Sequence, residues 1–277
     1  MVNFSAPLRQ LSFCSLLLAL IAAPLAAESA ESKSMRELDH GNQSLLASPW
    51  TTLLPGQPGG NGFSLSKNGQ LSFQSNPIKP LIRLYNGEGK NKLAPISVNL
   101  APLSPSKRYT LMTACEPPDG GNSLCWFQYQ LDLKQSRMDE SAWAKYPLPT
   151  AVWWEPHERY VALPVTDEGE VWLSVLDLGK KESRDVHFDE LAQEVARSQN
   201  CTLPEQEGYT IDLTSVSWMA DLQLAVNLVI ACNGEKTTRT VKTSLNVQNG
   251  QLQRVAESPG SGKSGSDKGK AATDKSK

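Results

Sequence analysis

Apolar and polar residues alternate with a period of two along three stretches of the chain. Every second position from Cys125 to Leu133 is apolar, and the same alternation runs through 224–232 and 241–247. Successive side chains of a strand point to opposite faces, so this pattern predicts strands with one buried face and one exposed face. Such strands are typical of antiparallel sheets, and the chain is therefore predicted to be all-β.

One stretch, 187–197, has the period of a helix instead. Its apolar residues share one stripe: Phe188, Leu191, Ala192, Val195 and Ala196. Asp185 is predicted as the N-cap, and the acidic residues at 189–190 suit the positive end of the helix dipole. We expect one α-helix here, within an insertion between strand groups that spans 182–209.

A short frame recurs along the chain, and each copy has a large apolar residue, a turn-prone polar stretch and a second large apolar residue six positions after the first. The copies lie at 65–71, 103–109, 154–160 and 218–224. Each is followed by a strand that ends in a polar closing turn, at 84–89, 131–135, 176–180 and 245–250. Repeated units of strand, hairpin, strand and turn predict a propeller-like array of about four antiparallel β-meanders.

The frame resembles the blade turns of the TolB-type and WD-repeat β-propeller families. Their blades open with an apolar-Ser-Pro-Asp-Gly-Lys/Arg-Tyr-like turn and close with an Asp-Leu-x-x-Gly-like turn. The resemblance covers most of 60–257 and is clearest in the second and third copies. It implies a propeller that engages a protein partner in the cell envelope. Because the copies are spaced irregularly, by 38, 51 and 64 residues, a β-sandwich or split barrel is the alternative fold.

Residues 1–27 have the composition of a secretory signal peptide, with one arginine, an apolar run over 11–23 and a Pro-Leu-Ala-Ala cleavage site. The run is shorter than the roughly 20 residues that span a bilayer, although an uncleaved anchor is the alternative. Phe13 before Cys14 is too bulky for a lipoprotein site. We therefore expect a periplasmic or secreted protein without a transmembrane segment in its mature chain.

Cleavage of this signal leaves four cysteines: Cys115, Cys125, Cys201 and Cys232. An even number in an oxidising compartment predicts two disulfides, for which three pairings are open. Locality favours Cys115–Cys125, because these two flank a strong turn signal at 116–121, and it leaves Cys201–Cys232. A structural zinc site is the alternative, but the spacing contains no Cys-x-x-Cys pair.

Two polar segments flank the predicted β domain. Residues 28–47 are rich in Ser and Glu, and we expect a loosely ordered lead-in. Residues 258–277 contain no apolar residue larger than Ala, so they cannot bury enough surface to fold and are predicted to be a disordered tail. Its five lysines would make the protein soluble or contact an anionic surface. The β-propeller-like domain is therefore placed at 48–257.

The charge of the chain argues against nucleic acid as a partner. The formal net charge is −2, and it becomes −6 without the signal and the Lys-rich tail. A nucleic-acid-binding domain would show a basic excess in its folded part. With 39% hydrophobic and 20% charged residues, the composition is that of an ordinary globular protein.

No catalytic motif is present in the sequence, and we predict no catalytic residue, cofactor or metal. His157 lies in a predicted turn and is expected to be exposed rather than to act as a base. The set His187, Asp189 and Glu190 is explained more simply by first-turn acidity of the helix than by metal binding.

Tryptophan is the one residue type in mild excess, with seven in the chain. Trp153, Trp154 and Trp172 belong to one repeat and are the candidate binding surface, for a protein or for a stacked sugar. The alternative is that they pack between sheets. Together these observations predict an exported, non-catalytic binding or scaffold protein of the cell envelope. A carbohydrate-binding or carbohydrate-active propeller is the second hypothesis.

Overall fold

The structure is a computed structural model that describes residues 35–46, 50–85, 92–116, 125–140, 150–167, 170–204, 208–219, 222–235 and 237–255. The predicted signal 1–27 and the predicted tail 258–277 lie outside the described residues.

Short strands make up most of the described chain. Those of the first half are β1 (Thr51–Leu53), β2 (Phe63–Leu65), β3 (Leu71–Phe73), β4 (Asn76–Pro77), β5 (Leu84–Tyr85), β6 (Lys92–Leu93), β7 (Ser97–Leu100), β8 (Tyr109–Cys115), β9 (Cys125–Asp132) and β10 (Arg137–Glu140). Those of the second half are β11 (Trp153–Trp154), β12 (Tyr160–Asp167), β13 (Glu170–Asp177), β14 (Glu182–Val186), β15 (Tyr209–Trp218), β16 (Gln223–Ile230), β17 (Arg239–Asn246) and β18 (Gln251–Arg254). The α-helices of this part of the chain are α1 (Met35–Leu46) and α2 (Asp189–Ser198), and a 3₁₀ turn lies at Gly60–Gly62.

In the described ranges, the strands form four antiparallel sheets and one two-stranded ribbon, β5–β6. The meanders of the four sheets succeed one another in chain order. Sheet I is β2-β3-β4, sheet II is β1-β7-β8-β9-β10, sheet III is β11-β12-β13-β14 and sheet IV is β15-β16-β17-β18. Sheets II, III and IV each contain four consecutive strands in an up-and-down meander. This arrangement confirms the predicted all-β, propeller-like array of about four meanders.

The recurring frame forms the hairpin between the first and second strands of each meander. These strand pairs are β2–β3, β7–β8, β11–β12 and β15–β16. The fifth residue of the frame has a left-handed backbone in all four copies: Gly69 (φ 80°), Lys107 (φ 60°), Glu158 (φ 55°) and Leu222 (φ 59°). Side chains other than glycine adopt this conformation at a cost of about 1 kcal/mol or more. The shared geometry therefore shows that the copies are equivalent turns, and that strand pairing holds the turn even where glycine is absent.

The predicted closing turns join the third and fourth meander strands of sheets II, III and IV. In each turn, a side-chain carboxylate or amide oxygen accepts hydrogen bonds from backbone N–H groups two or three residues later in the chain, as in an Asx-turn. These hydrogen bonds run to Asp132 from Gln135 (3.1 Å), to Asp177 from Gly179 and Lys180 (2.9 and 3.0 Å), and to Asn246 from Gln248 (3.0 Å). Three of the predicted closing turns are thereby confirmed.

The fourth predicted closing turn, 84–89, does not close sheet I. Leu84–Tyr85 pairs with Lys92–Leu93 in the separate ribbon, and residues 86–91 lie outside the described part of the chain. Instead, Gln74 and Ser75 join β3 to β4, both with positive φ (49° and 66°). Two residues of this conformation make a tight hairpin, so sheet I ends after only three short strands.

The sheets pack face to face, so alternate residues of one strand enter two different cores. In β8, Met112 lies in the core between sheets I and II, whereas Leu111 lies in the core between sheets II and III. Gln128 and Gln130, on the face of β9 predicted to be exposed, are each only 4% exposed. Gln130 Nε2 donates a hydrogen bond to Leu178 O of the next sheet (3.1 Å). The alternation in β9 therefore separates an apolar interface from a polar one, not core from solvent.

The polar segment 28–47, expected to be loosely ordered, contains helix α1. Leu38 is 2% exposed. Asn42 bridges the edge of β15, where its Nδ2 donates to Ile211 O (3.1 Å) and its Oδ1 accepts from Leu213 N–H (3.0 Å). These are the groups that another strand would pair with, so α1 covers the edge of sheet IV.

The predicted helix is present as α2, but it begins later than expected. Asp185 lies in β14, and the N-cap is Phe188, which makes no side-chain capping bond. Residues 182–186 therefore form the last strand of sheet III, although they were predicted to begin the insertion at 182–209. The apolar stripe of α2 packs into the core between sheets III and IV.

Both predicted disulfides are present. Cys115–Cys125 joins the end of β8 to the start of β9, and Cys201–Cys232 joins the segment after α2 to the segment after β16. The second bond therefore anchors α2 to sheet IV. The zinc alternative is wrong, because all four of these cysteines are paired with one another.

Candidate binding surface

Antiparallel pairing places the loops of the array at two opposite ends of its strands. The recurring frames and the closing turns lie at one end, which we call the turn end. The connections between the second and third meander strands lie at the other, which we call the loop end. Both disulfides lie at the loop end, because Cys115 and Cys232 follow the second meander strands of sheets II and IV.

At the turn end, Glu158 of sheet III holds the neighbouring turn of sheet II. Its carboxylate accepts hydrogen bonds from the backbone N–H and from the hydroxyl of Ser106, both at 2.6 Å. Burial alone would raise the pKa of Glu158, but the hydrogen bonds from Ser106 and Ser104 outweigh it, so the pKa lies below its ordinary value of 4.5. The charged form of Glu158 therefore links two sheets.

We expect Glu158→Gln to lower the free energy of unfolding near neutral pH by about 1–2 kcal/mol, since the amide loses the charge-assisted bonds to Ser106. A carboxylate whose pKa is depressed in the folded state stabilises it above the unfolded pKa, and this stabilisation is lost as the pH falls through the folded pKa. In urea unfolding, the gap between wild type and variant should therefore be full above the ordinary pKa of 4.5 and close as the pH falls below it, through the lowered pKa of the folded state. Glu194→Gln, at an exposed site on α2, is the control; a pH-independent gap would contradict the assignment.

Two tryptophans join neighbouring sheets through equivalent hydrogen bonds at the turn end. Trp154 Nε1 donates to Pro102 O (3.1 Å), and Trp218 Nε1 donates to Trp153 O (2.8 Å). Trp154 and Trp218 are the first residues of their frames, and each acceptor directly precedes the first residue of the preceding frame. The bonds repeat from sheet II to III and from sheet III to IV, so these indoles have an inter-sheet structural role.

The structure does not gather the three tryptophans predicted as a binding surface. Trp153 and Trp154 are successive residues of β11, so their side chains lie on opposite faces of sheet III. Trp172 pairs with Val165, whereas Trp154 pairs with Val161. Trp172 is therefore about 13 Å further along the sheet. A binding role for the three residues stays a prediction.

The two histidines considered in the sequence lie at opposite ends of sheet III. His157 is exposed in its turn, as expected. The His187 ring lies 5.3 Å from the ring of Trp172. Within the described ranges, no group of three or more His, Cys, Asp or Glu side chains is placed to hold a metal ion. The helices described here are also too short or too polar to cross a membrane.

A groove of about 710 Å³ lies between the segment that follows β4 and the outer strand of sheet II. Its walls are Lys79, Pro80 and Leu81 on one side and Arg137, Met138 and Asp139 on the other. Leu81 is 37% exposed, which is high for a large apolar side chain. The groove thus combines an exposed apolar side chain with charged groups.

The charges at the groove are mostly positive. Asp139 accepts bonds from Arg137 (2.8 Å) and Lys181 (2.9 Å), and Lys79 is exposed nearby. Burial would raise the pKa of Asp139, but the bonds from Arg137 and Lys181 dominate and hold the pKa below its ordinary value. Lys79 and Arg137 line the groove with Asp139, Lys181 adds a third cation through its bond to Asp139, and Glu140 at the end of β10 is a second carboxylate. Cations are therefore in slight excess here, in a domain that carries a net negative charge.

Sequence reasoning missed this groove. Its cations Lys79, Arg137 and Lys181 are separated by 58 and 44 residues along the chain. No local motif connects them, because each belongs to a different unit of the array. Only the packing of sheet I, sheet II and sheet III brings them together.

No protein-family model matches this chain, and no curated protein matches it. Solved structures do match at low identity. Dipeptidyl peptidase 4 from Porphyromonas gingivalis aligns with a TM-score of 0.39 and 13% identity, over 72% of this chain and 33% of that chain. Hydrazine synthase from Kuenenia stuttgartiensis aligns with a TM-score of 0.31 and 11% identity, over 70% and 50%. TolB from Acinetobacter baumannii aligns with a TM-score of 0.30 and 14% identity, over 70% and 42%. This chain thus spans half or less of each of these three, and the fold described above rests on its own strand pairing.

Proposed function

We propose that this protein is an exported, non-catalytic binding or scaffold protein of the cell envelope that engages another protein through its propeller-like array. Two disulfides support export, since structural disulfides persist in oxidising compartments such as the periplasm. The predicted signal peptide agrees with them.

The groove between Lys79 and Arg137 is the main structural support for the proposed binding role. Surfaces that bind proteins combine apolar groups with charged groups that remain accessible. Leu81 is an accessible apolar group, and the side chain of Arg137 is 49% exposed although it pairs with Asp139. The binding role rests on this site and not on the fold, because one fold serves many functions.

A glycan partner, the second hypothesis, is less well supported by the arrangement of the tryptophans. Sugar stacking needs an accessible aromatic face, and aromatic side chains gathered on one surface would provide it. Trp153 and Trp154 instead lie on opposite faces of sheet III, and the Trp154 indole donates a hydrogen bond to Pro102 O beside the neighbouring sheet. We therefore expect a protein partner and not a glycan.

A cross-linked pull-down of the tagged mature protein from its native envelope tests the proposal. Three forms are compared with the full mature chain: deletion of 258–277, Leu81→Ser in the groove, and Leu54→Ser as the matched control, because Leu54 is a similarly exposed leucine (44%) away from the groove. We expect one protein partner, retained by the tail deletion and the control and weakened by Leu81→Ser. Loss with the tail deletion would move the binding function to the Lys-rich tail. Recovery of background proteins alone, with binding on a glycan panel, would replace the proposal with the second hypothesis.

A further inference from the structure

Among the described residues, most of the outer edge of β10 has no strand paired with it where it meets the groove. β10 is the last strand of sheet II, and in the described chain only Lys79 pairs with its outer edge. Lys79 N–H donates to Ser136 O (2.9 Å), and Met138 N–H donates to Lys79 O (2.7 Å). Hydrogen bonding alternates between the two edges of a strand, so Met138 C=O and Glu140 N–H are the next groups on this edge.

The chain leaves this edge directly after Lys79. If the ladder continued past Lys79, Leu81 would be the next residue to pair, with its N–H directed at Met138 C=O and its C=O at Glu140 N–H. No backbone hydrogen bond between described residues makes either connection, and the following Ile82 N–H bonds to Gly69 O (3.0 Å). Leu81 therefore stands beside the open edge without continuing the ladder. A strand edge of this kind is a template for pairing with another chain.

The charges along the edge change sign from one end to the other. Lys79 and Arg137 lie where the ladder begins, and Lys181 adds a third cation through Asp139. Arg137 uses Nε and Nη2 to bind Asp139, which leaves Nη1 without a partner among the described residues. Glu140, at the end of β10, is exposed and negative. A partner carboxylate is therefore favoured at the Lys79 end and disfavoured at the Glu140 end.

We propose that the groove binds an extended acidic peptide segment of the partner protein, which adds as a strand to the outer edge of β10. The inference rests on the proposed function and names the chemistry of its partner. The peptide backbone pairs with Met138 C=O and Glu140 N–H, which supplies affinity independent of sequence. An apolar side chain of the peptide covers Leu81, and an Asp or Glu beside it binds Arg137 and Lys79.

Selection from a random peptide-display library on the full mature protein tests this inference. We expect enriched sequences with Asp or Glu next to a large apolar residue. A synthetic peptide of the enriched sequence should bind the double variant Lys79→Gln, Arg137→Gln about ten-fold or more weakly than wild type, with the difference shrinking at high salt. The matched charge control is the double variant Lys242→Gln, Arg254→Gln, which removes the same charge from exposed sites on sheet IV. An unchanged Tm shows that each variant is folded.

Amide hydrogen exchange separates strand addition from simple charge attraction. On saturation with the enriched peptide, the Glu140 amide should exchange more slowly, while that of Arg254 should not change. Absence of enrichment, enrichment of neutral or basic sequences, equal binding by the double variant, or an unprotected Glu140 amide would each overturn the inference. If the Lys79→Gln, Arg137→Gln variant still captures the envelope partner, this inference is wrong and a protein-binding role remains through another surface; if the wild-type protein captures no partner, the proposed function itself is wrong.

Discussion

Phe188→Ala should lower the free energy of unfolding by about 3–5 kcal/mol, the largest effect we expect from a single substitution. Phe188 is 1% exposed and lies in the core that sheets III and IV share with α2. Truncation to alanine removes most of a buried ring and leaves a cavity among side chains from three elements. The chain around Phe188 has little freedom to move into this cavity, because β14 ends two residues before it and α2 begins at the next residue. Urea unfolding with both disulfides intact measures the change.

Glu194→Ala is the control for this substitution, because Glu194 is exposed on the same helix. It should change the free energy of unfolding by less than about 0.5 kcal/mol. A loss below about 1 kcal/mol for Phe188→Ala would contradict the packing of α2 between the two sheets.

Removing the Cys201–Cys232 disulfide by replacing both cysteines with alanine should cost about 3–4 kcal/mol. The bond closes a loop with a sequence separation of 31 residues, and a cross-link stabilises mainly by limiting the unfolded chain, more for longer loops. Here it also fixes α2 to sheet IV. Thermal or urea unfolding of the double variant measures the loss.

The Cys115–Cys125 bond is the internal comparison, because its sequence separation is only 10 residues. The same chain-entropy relation gives a cost about 1 kcal/mol smaller for the corresponding double alanine variant. Equal losses for the two bonds, or a larger loss for the shorter loop, would show that native contacts around the cysteines dominate over loop length.

The parts of the fold that are encoded locally could be predicted from the sequence. The frame at 103–109 and the closing turn at 131–135 depend on residues that bond to their own neighbours, such as Asp132 with Gln135. Local chemistry of this kind is visible in a linear sequence. The same holds for the Cys115–Cys125 pair, which a turn brings together.

Other features depend on tertiary packing and could not be predicted. Helix α1 is polar by composition, and its Asn42 side chain attaches it by two hydrogen bonds to the distant strand β15. The alternation in β9 does not reveal that Gln130 faces another sheet, because a buried glutamine looks the same in sequence as an exposed one. The groove has no local signal, since Lys79, Arg137 and Lys181 meet only in the packed array.

The separation of the turn end from the loop end has a consequence for how the molecule responds to its surroundings. Acid acts on the turn end, where the ionised Glu158 holds two sheets together. A thiol reductant acts on the loop end, where both disulfides lie. Acid therefore weakens the contact between sheets II and III at the turn end, whereas a reductant opens a link within sheet II and the link between α2 and sheet IV at the loop end. Limited proteolysis in acid and limited proteolysis in reductant should therefore cut at different sites, because the two treatments weaken opposite ends of the array.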